Sequence, residues 1–302
     1  MTAEGLRITG LCPDDASLRF DYTPAPMSLP SRFVKMAGGG NDFLVFEADG
    51  RNLTEEDRRR LALVCRRGLS VGADGALFLS PDGPGRVRID YFNSDGGAAT
   101  FCANGTRCAA RYAIRHKLAS GPSLVLETGW GPIAANLNGD VVTLALPAIP
   151  APQDPVPISG RGLPPTAIPM KVGVPHLVVF MRGDLSQLPI ERLGPLVRQH
   201  PAMPEGANAN FVRAGKDNRI EVRTWERGVE GETLSCGSGV VAAAIVAGRA
   251  GLASSPVTCA TKSGVDLVVE FSDEKDAFTG VRLTGDAREV YAGDLLEEAW
   301  QA

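Results

Sequence analysis

Histidine is scarce in this chain, with three in 302 residues, and no cysteine pair has the short spacing of a zinc knuckle. Cys102 and Cys108 have five residues between them, and the nearest histidine, His116, lies further down the same segment. Ligand spacing of a metal site is therefore missing, and no metal is expected. Charge of one sign is lacking too: 31 Lys and Arg against 35 Asp and Glu leave a formal net charge of -4. Without a basic stripe interleaved with aromatics there is no footprint for a phosphate backbone, which argues against nucleic acid as a partner. No apolar run reaches the length of a membrane span, and residues 1–30 hold prolines and acids where a secretory signal needs an apolar segment. These absences point to a cytoplasmic protein in which Cys12, Cys65, Cys102, Cys108, Cys236 and Cys259 stay reduced and available for chemistry.

What is present is an ordinary globular composition, 44% hydrophobic and 22% charged, long enough for two cores. Residues 1–30 read as an N-terminal extension without clear periodicity. Beyond it, short apolar runs such as FLVF, ALFL and VRIDYF alternate with glycine turns. LTEEDRRRLALVCRR has helical spacing, with Thr54 as its N-cap. The class is mixed α and β. The proline-rich stretch LPAIPAPQDPVPISGRGLPP interrupts helix and strand alike and marks a boundary near Pro147.

One internal repeat carries most of the functional signal. Aligning Cys102 with Cys236 sets FCANGTRCAARYA on SCGSGVVAAAIVA, so that a cysteine, a small residue, a small polar residue and a glycine coincide ahead of Ala-rich helix formers. Each cysteine is thus expected at a helix N-terminus, where unpaired N–H groups and the helix dipole favour a thiolate. On that local reasoning the pKa of each thiol should fall toward neutral. If the halves face each other, one thiolate can take a proton from a carbon while the opposite thiol supplies another, and configuration inverts. The small residues Ala103, Gly105, Gly237 and Gly239 would let a carboxylate approach the helix ends. A cysteine-dependent hydrolase is the competing class. It would want a histidine base for one cysteine and would leave the second unexplained.

Taken in order, FVKMAGGGNDF, GADG, DYFNSDGGAATFCANGTRC, VPH, NANF, WERGVEGETLSCGSG and LTGDAREVYAG resemble the motifs of the diaminopimelate epimerases, from about Phe33 to about Asp294. The resemblance implies an α/β (α+β) fold of two pseudo-symmetric domains, each a curved, barrel-like sheet around a central helix. Domain I would be residues 31–147 and 288–302, carrying Cys102; domain II would be 148–287, carrying Cys236. It further implies a cofactor-independent epimerase, acting as a homodimer, that converts LL-2,6-diaminopimelate to the meso form for lysine and peptidoglycan precursor synthesis. Cys102 and Cys236 then match the two catalytic bases. Asn41, Asn93, Ala103, Asn104, Asn208, Glu226, Arg227, Gly237 and Ser238 match the substrate-binding set, and His176 a site-tuning histidine beside it. Such a set suits a small zwitterionic substrate, with Arg227 for a carboxylate and Glu226 for an ammonium group.

The chain departs from the family pattern at named positions. Ala103 stands where the first catalytic block usually has glycine, Ala37 where the opening motif often has histidine, and Val174 where many relatives have asparagine before Pro-His. The loop at Val229-Glu230-Gly231 is one residue longer. Val174 keeps open a racemase of another amino acid with the same two-cysteine chemistry.

Overall fold

The structure, a computed structural model, describes residues 29–48 and 53–301. Residues 1–28, which hold Cys12 and most of the expected extension, lie outside them. The first half runs β1 (Arg32–Gly38), β2 (Asn41–Glu47), α1 (Glu55–Val64), β3 (Gly75–Pro81), β4 (Arg86–Asn93), β5 (Ala98–Ala99), α2 (Ala103–Arg115), β6 (Ser123–Thr128), β7 (Gly131–Asn138) and β8 (Val141–Ala145). Two short strands, β9 (Ile149–Pro150) and β10 (Val156–Pro157), lie in the proline-rich stretch. The second half runs β11 (Thr166–Val172), β12 (Val174–Phe180), α3 (Ile190–Arg198), β13 (Asn208–Ala214), β14 (Arg219–Glu226), β15 (Gly231–Thr233), α4 (Gly237–Arg249), β16 (Val257–Thr261), β17 (Asp266–Glu274) and β18 (Ala277–Asp286). A last strand, β19 (Arg288–Asp294), returns to β1.

The two halves repeat one topology. β1 and β2 are antiparallel, β2 and β3 parallel, β3 and β4 antiparallel, β4 and β6 parallel, and β6, β7 and β8 antiparallel. The same sequence of pairings recurs through β11, β12, β13, β14, β16, β17 and β18. Strand β18 also pairs with β8, so the halves share one continuous sheet rather than standing as separate sheets.

The sequence explains where the helices sit. α4 is apolar on every side, and its residues from Val240 to Ala247 are buried, the pattern of a helix enclosed by sheet. α2 is likewise buried from Ala103 to Ala113, despite containing Arg107 and Arg111. By contrast α1 is amphipathic, buries Leu61 and Val64, and starts at the expected N-cap: Thr54 and Asp57 form a reciprocal capping box. The largest core surrounds α2 and α4 and takes residues from both halves. Smaller cores lie under α1 and under α3. Burying each Val, Leu or Phe there contributes about 1.5–3 kcal/mol, which holds the two central helices rigidly by their sides and leaves their ends for the site.

Candidate active site

The central helices point their N-termini at each other. Cys102 caps α2 and Cys236 caps α4, both in extended backbone (φ -141° and -115°), and neither side chain satisfies its own helix end. First-turn N–H groups therefore lie beside both thiols, those of Asn104 and Gly105 at Cys102 and that of Gly239 at Cys236, at helix ends suited to an anion. The approach is close: a methyl group built on Gly237 would lie 2.7 Å from Cβ of Ala103. The junction has room for one methyl, and Ala103 supplies it. The alanine that departs from the family's glycine is thus accommodated at the start of a helix, facing a glycine on the other half.

Around this junction lies a cavity of about 400 Å³. It gathers Asn41, Asn93, Cys102, Ala103, Asn104, Asn208, Glu226, Arg227, Cys236, Gly237 and Ser238, the expected catalytic and substrate-binding set, but not His176, nor Gly105, which faces Leu77 and Phe43, nor Gly239, which faces Asn210. His176 lies on β12, fully buried beside the cavity, with its Nδ1 3.1 Å from Nδ2 of Asn210. Burial lowers its pKa to about 3, so the ring is neutral at physiological pH.

Each half supplies its side chains from matching places. The turn Gly39–Gly40, with positive φ at both residues, ends at Asn41 on β2; Gly173, also at positive φ, precedes Val174 on β12. Asn93 ends β4 and Glu226 ends β14. Asn208 opens β13 and accepts the backbone N–H of Arg227 at 2.7 Å, so one side chain braces the loop that carries the arginine. Asn104 donates to Oδ1 of Asn41 at 2.8 Å, and Asn41 donates to Asp74 at 2.9 Å.

The thiols are not tuned as the sequence suggested. Both pKa values are raised, Cys102 to about 11 and Cys236 further still. Burial is the largest cause for each. For Cys102 the amides of Gly105 and Asn104 and the charge of Arg107 pull the other way, while the carboxylate of Glu226 adds to the rise. Cys236 is also raised by Glu226 and eased by Ser238 and the Gly239 amide. The helix-end effect is present and is outweighed by desolvation, which acts through tertiary structure and cannot be read locally. Glu226 itself is shifted upward, chiefly by burial.

Six lining residues were not anticipated as ligands: Tyr91, Ala98, Ala99, Thr100, Phe101 and Ser235. Tyr91 was within reach of strand periodicity, because it stands two residues before Asn93 on β4 and shares its face. Trp130, in the turn between β6 and β7, leans on Phe101 (ring centroids 4.9 Å apart) and lies against Gly173 of the second half, the residue before Val174. The five cysteines among the described residues are free. Among those residues no cluster of His, Cys, Asp and Glu is arranged for a metal ion, and no helix is long and apolar enough to cross a membrane.

Comparison with known proteins follows the same outline. The sequence profile of the family described as diaminopimelate epimerase matches residues 33–144 and 169–290. The chain is 40% identical over 280 residues to the diaminopimelate epimerase of Archaeoglobus fulgidus, covering 87% of this chain and 95% of that protein. It is 37% identical to that of Methanothrix thermoacetophila, covering 88% and 97%. Among solved structures it is similar in fold to a phenazine biosynthesis protein of the PhzF family from Enterococcus faecalis, with a TM-score of 0.65, 15% identity, and coverage of 89% and 100%.

Proposed function

This chain belongs to the diaminopimelate epimerase family of isomerases, and on that premise we propose that it interconverts LL-2,6-diaminopimelate and the meso isomer by a two-base, cofactor-independent mechanism. The observation that carries the reading is the pair of cysteines on opposed helix ends in one cavity. One thiolate removes the α-proton, and the thiol on the far face returns a different proton to the same carbon. The substrate α-carboxylate lodges against the first-turn amides at Ala103-Asn104 and Gly237-Ser238, where preorganised donors stabilise charge that grows in the carbanion-like transition state. Glu226 takes the α-ammonium group, while Arg227, Asn93, Asn208 and Asn41 receive the remaining polar ends. His176, neutral on β12, tunes the site through Asn210 and takes no proton from substrate.

The raised thiol values fit this sequence of events. A bound ammonium group offsets Glu226, whose charge raises both cysteines, so substrate itself favours the thiolate it needs. Domains with the boundaries expected from the sequence, a homodimer, a cytoplasmic location and a place in lysine and peptidoglycan precursor synthesis belong to the same proposal.

A second reading, a racemase of another amino acid, is favoured by one observation: Val174 lines the cavity in place of an amide. Chiral chromatography after incubating the protein with LL-diaminopimelate and a panel of L-amino acids separates the two. Formation of the meso isomer is expected. Turnover of another amino acid with none of LL-diaminopimelate would select the second reading.

A further inference from the structure

Aligned on their cysteines, the halves pair Arg107 of α2 with Val241 of α4. Both side chains are fully buried, 0% exposed, at the same place in a central helix, but one carries a charge. The Arg107 guanidinium bonds to Oδ1 of Asn104 at 2.7 Å, to the Asp286 carbonyl at 3.2 Å and, at 3.5 Å, to the Ala103 carbonyl. All of these acceptors are uncharged.

A guanidinium has donors only, so it dictates the orientation of the amide it meets. Asn104 must turn its oxygen to Arg107, and its nitrogen is then the group that donates to Oδ1 of Asn41 at 2.8 Å. Asn41, its oxygen engaged, donates through Nδ2 to Asp74 at 2.9 Å. The other Asp74 oxygen accepts from Arg67 at 2.8 Å. The chain of bonds runs from a donor-only end to an acceptor-only end, and flipping either amide would set donor against donor or acceptor against acceptor. In the second half no donor-only group sets a direction: Ser238, a hydroxyl that can donate or accept and that stands 3.6 Å from Sγ of Cys236, holds the place of Asn104, and Val174 that of Asn41.

We propose that Arg107 is a positioning residue that makes the two halves of the site unequal: it locks Asn104 and Asn41 in one orientation toward the substrate and favours the thiolate on Cys102 over Cys236. The relay of amides rests on the geometry above, and its use rests on the epimerase reading. The titratable and charged groups around Cys102 are Glu226 from β14, Arg227 just beyond it in the same cavity, Tyr91 from β4 and Cys236 from α4, with Arg107 and Cys108 on its own helix and the Asp286 carboxylate of β18 acting on Arg107. Arg107 is the cation that shares a helix with Cys102, bonded one turn on to the Ala103 carbonyl, and it pulls Cys102 toward the thiolate against the burial and Glu226.

The test is iodoacetamide alkylation of the full chain across a pH series, with the label on each cysteine read by peptide mass spectrometry, for the unaltered protein, Arg107→Gln and Arg107→Lys. Cys102 is expected to show the lower pH midpoint of the two catalytic cysteines. Arg107→Gln should move the Cys102 midpoint upward and leave that of Cys236 in place. Arg107→Lys should keep the Cys102 midpoint while raising KM about two- to tenfold, the worth of one buried hydrogen bond. A Cys102 midpoint unmoved in Arg107→Gln, or moved equally at both cysteines, would overturn the proposal. If Arg107→Gln loses its cooperative melt, Asp74→Asn takes its place: removing the acceptor-only end should raise KM with no shift at Cys102, and an unchanged KM would overturn the relay. Alkylation needs no substrate, so failure to turn over diaminopimelate and failure of the Arg107 inference register separately.

Discussion

The first and second halves of this molecule share strand order, parallel and antiparallel pairing and a buried central helix, yet they differ at nearly every position that reaches the cavity. Ala103 faces Gly237, Asn104 corresponds to Ser238, Asn41 to Val174 and Asn93 to Glu226, and behind the lining Arg107 corresponds to Val241. The repeated part supplies what must be symmetric, two cysteines at opposed helix ends. The divergent part supplies what must not be, because an amino-acid α-carbon bears an ammonium group on one side and a longer chain on another. Only one cavity wall carries the carboxylate that an ammonium needs, and it comes from β14 of the second half.

Removing either member of the equal pair should cost most. Cys102→Ala and Cys236→Ala are each expected to lower the rate of inversion by about 10²–10⁴-fold, the usual worth of a positioned acid or base, measured by chiral assay. Loss in one variant only would break the equivalence of the halves. The helix junction comes next. Gly237→Ala should destabilise the fold by about 1–3 kcal/mol, since its methyl would meet that of Ala103. Thermal melts of Ala103→Gly/Gly237→Ala should recover most of that loss, because the junction then again holds one methyl.

Electrostatics sharpen the comparison further. Because burial and Glu226 raise both thiols, kcat/KM should climb with pH from neutral into the alkaline range as the thiolate fraction grows. A plateau at neutral pH would contradict the burial argument. Glu226→Gln should move the alkylation midpoints of both cysteines downward and raise KM, since the carboxylate opposes both thiolates. The smallest change is expected from Val174→Asn, which gives the second half the amide that Asn41 gives the first. KM for LL-diaminopimelate should fall about two- to tenfold by steady-state kinetics, the gain of one hydrogen bond.

How much of this was legible in the sequence follows the range of each interaction. The cysteine–small–polar–glycine spacing is a local pattern, and it located both central helix starts and the duplication, as the helical spacing of LTEEDRRRLALVCRR located the N-cap Thr54. Glu226, Arg227, Asn93 and Asn208 emerged from ordered motifs spread along the chain. What failed was tertiary in origin. The direction of the thiol shift depends on how completely the sheet and the opposite helix exclude water. Tyr91 and Phe101 line the cavity because β4 and the segment before α2 are brought to the junction by tertiary structure, and the burial of Arg107 follows from the sheet that encloses α2.

The central claim is that two different groups act on opposite faces of one carbon. Turnover of LL-diaminopimelate in deuterated water, stopped at early times and analysed by mass spectrometry, tests it most directly. Product carrying one deuterium at the inverted carbon, with recovered substrate still unlabelled, is the expected result. Deuterium entering recovered substrate as fast as product would mean that a single base serves both faces, and the pairing of Cys102 with Cys236 would fall.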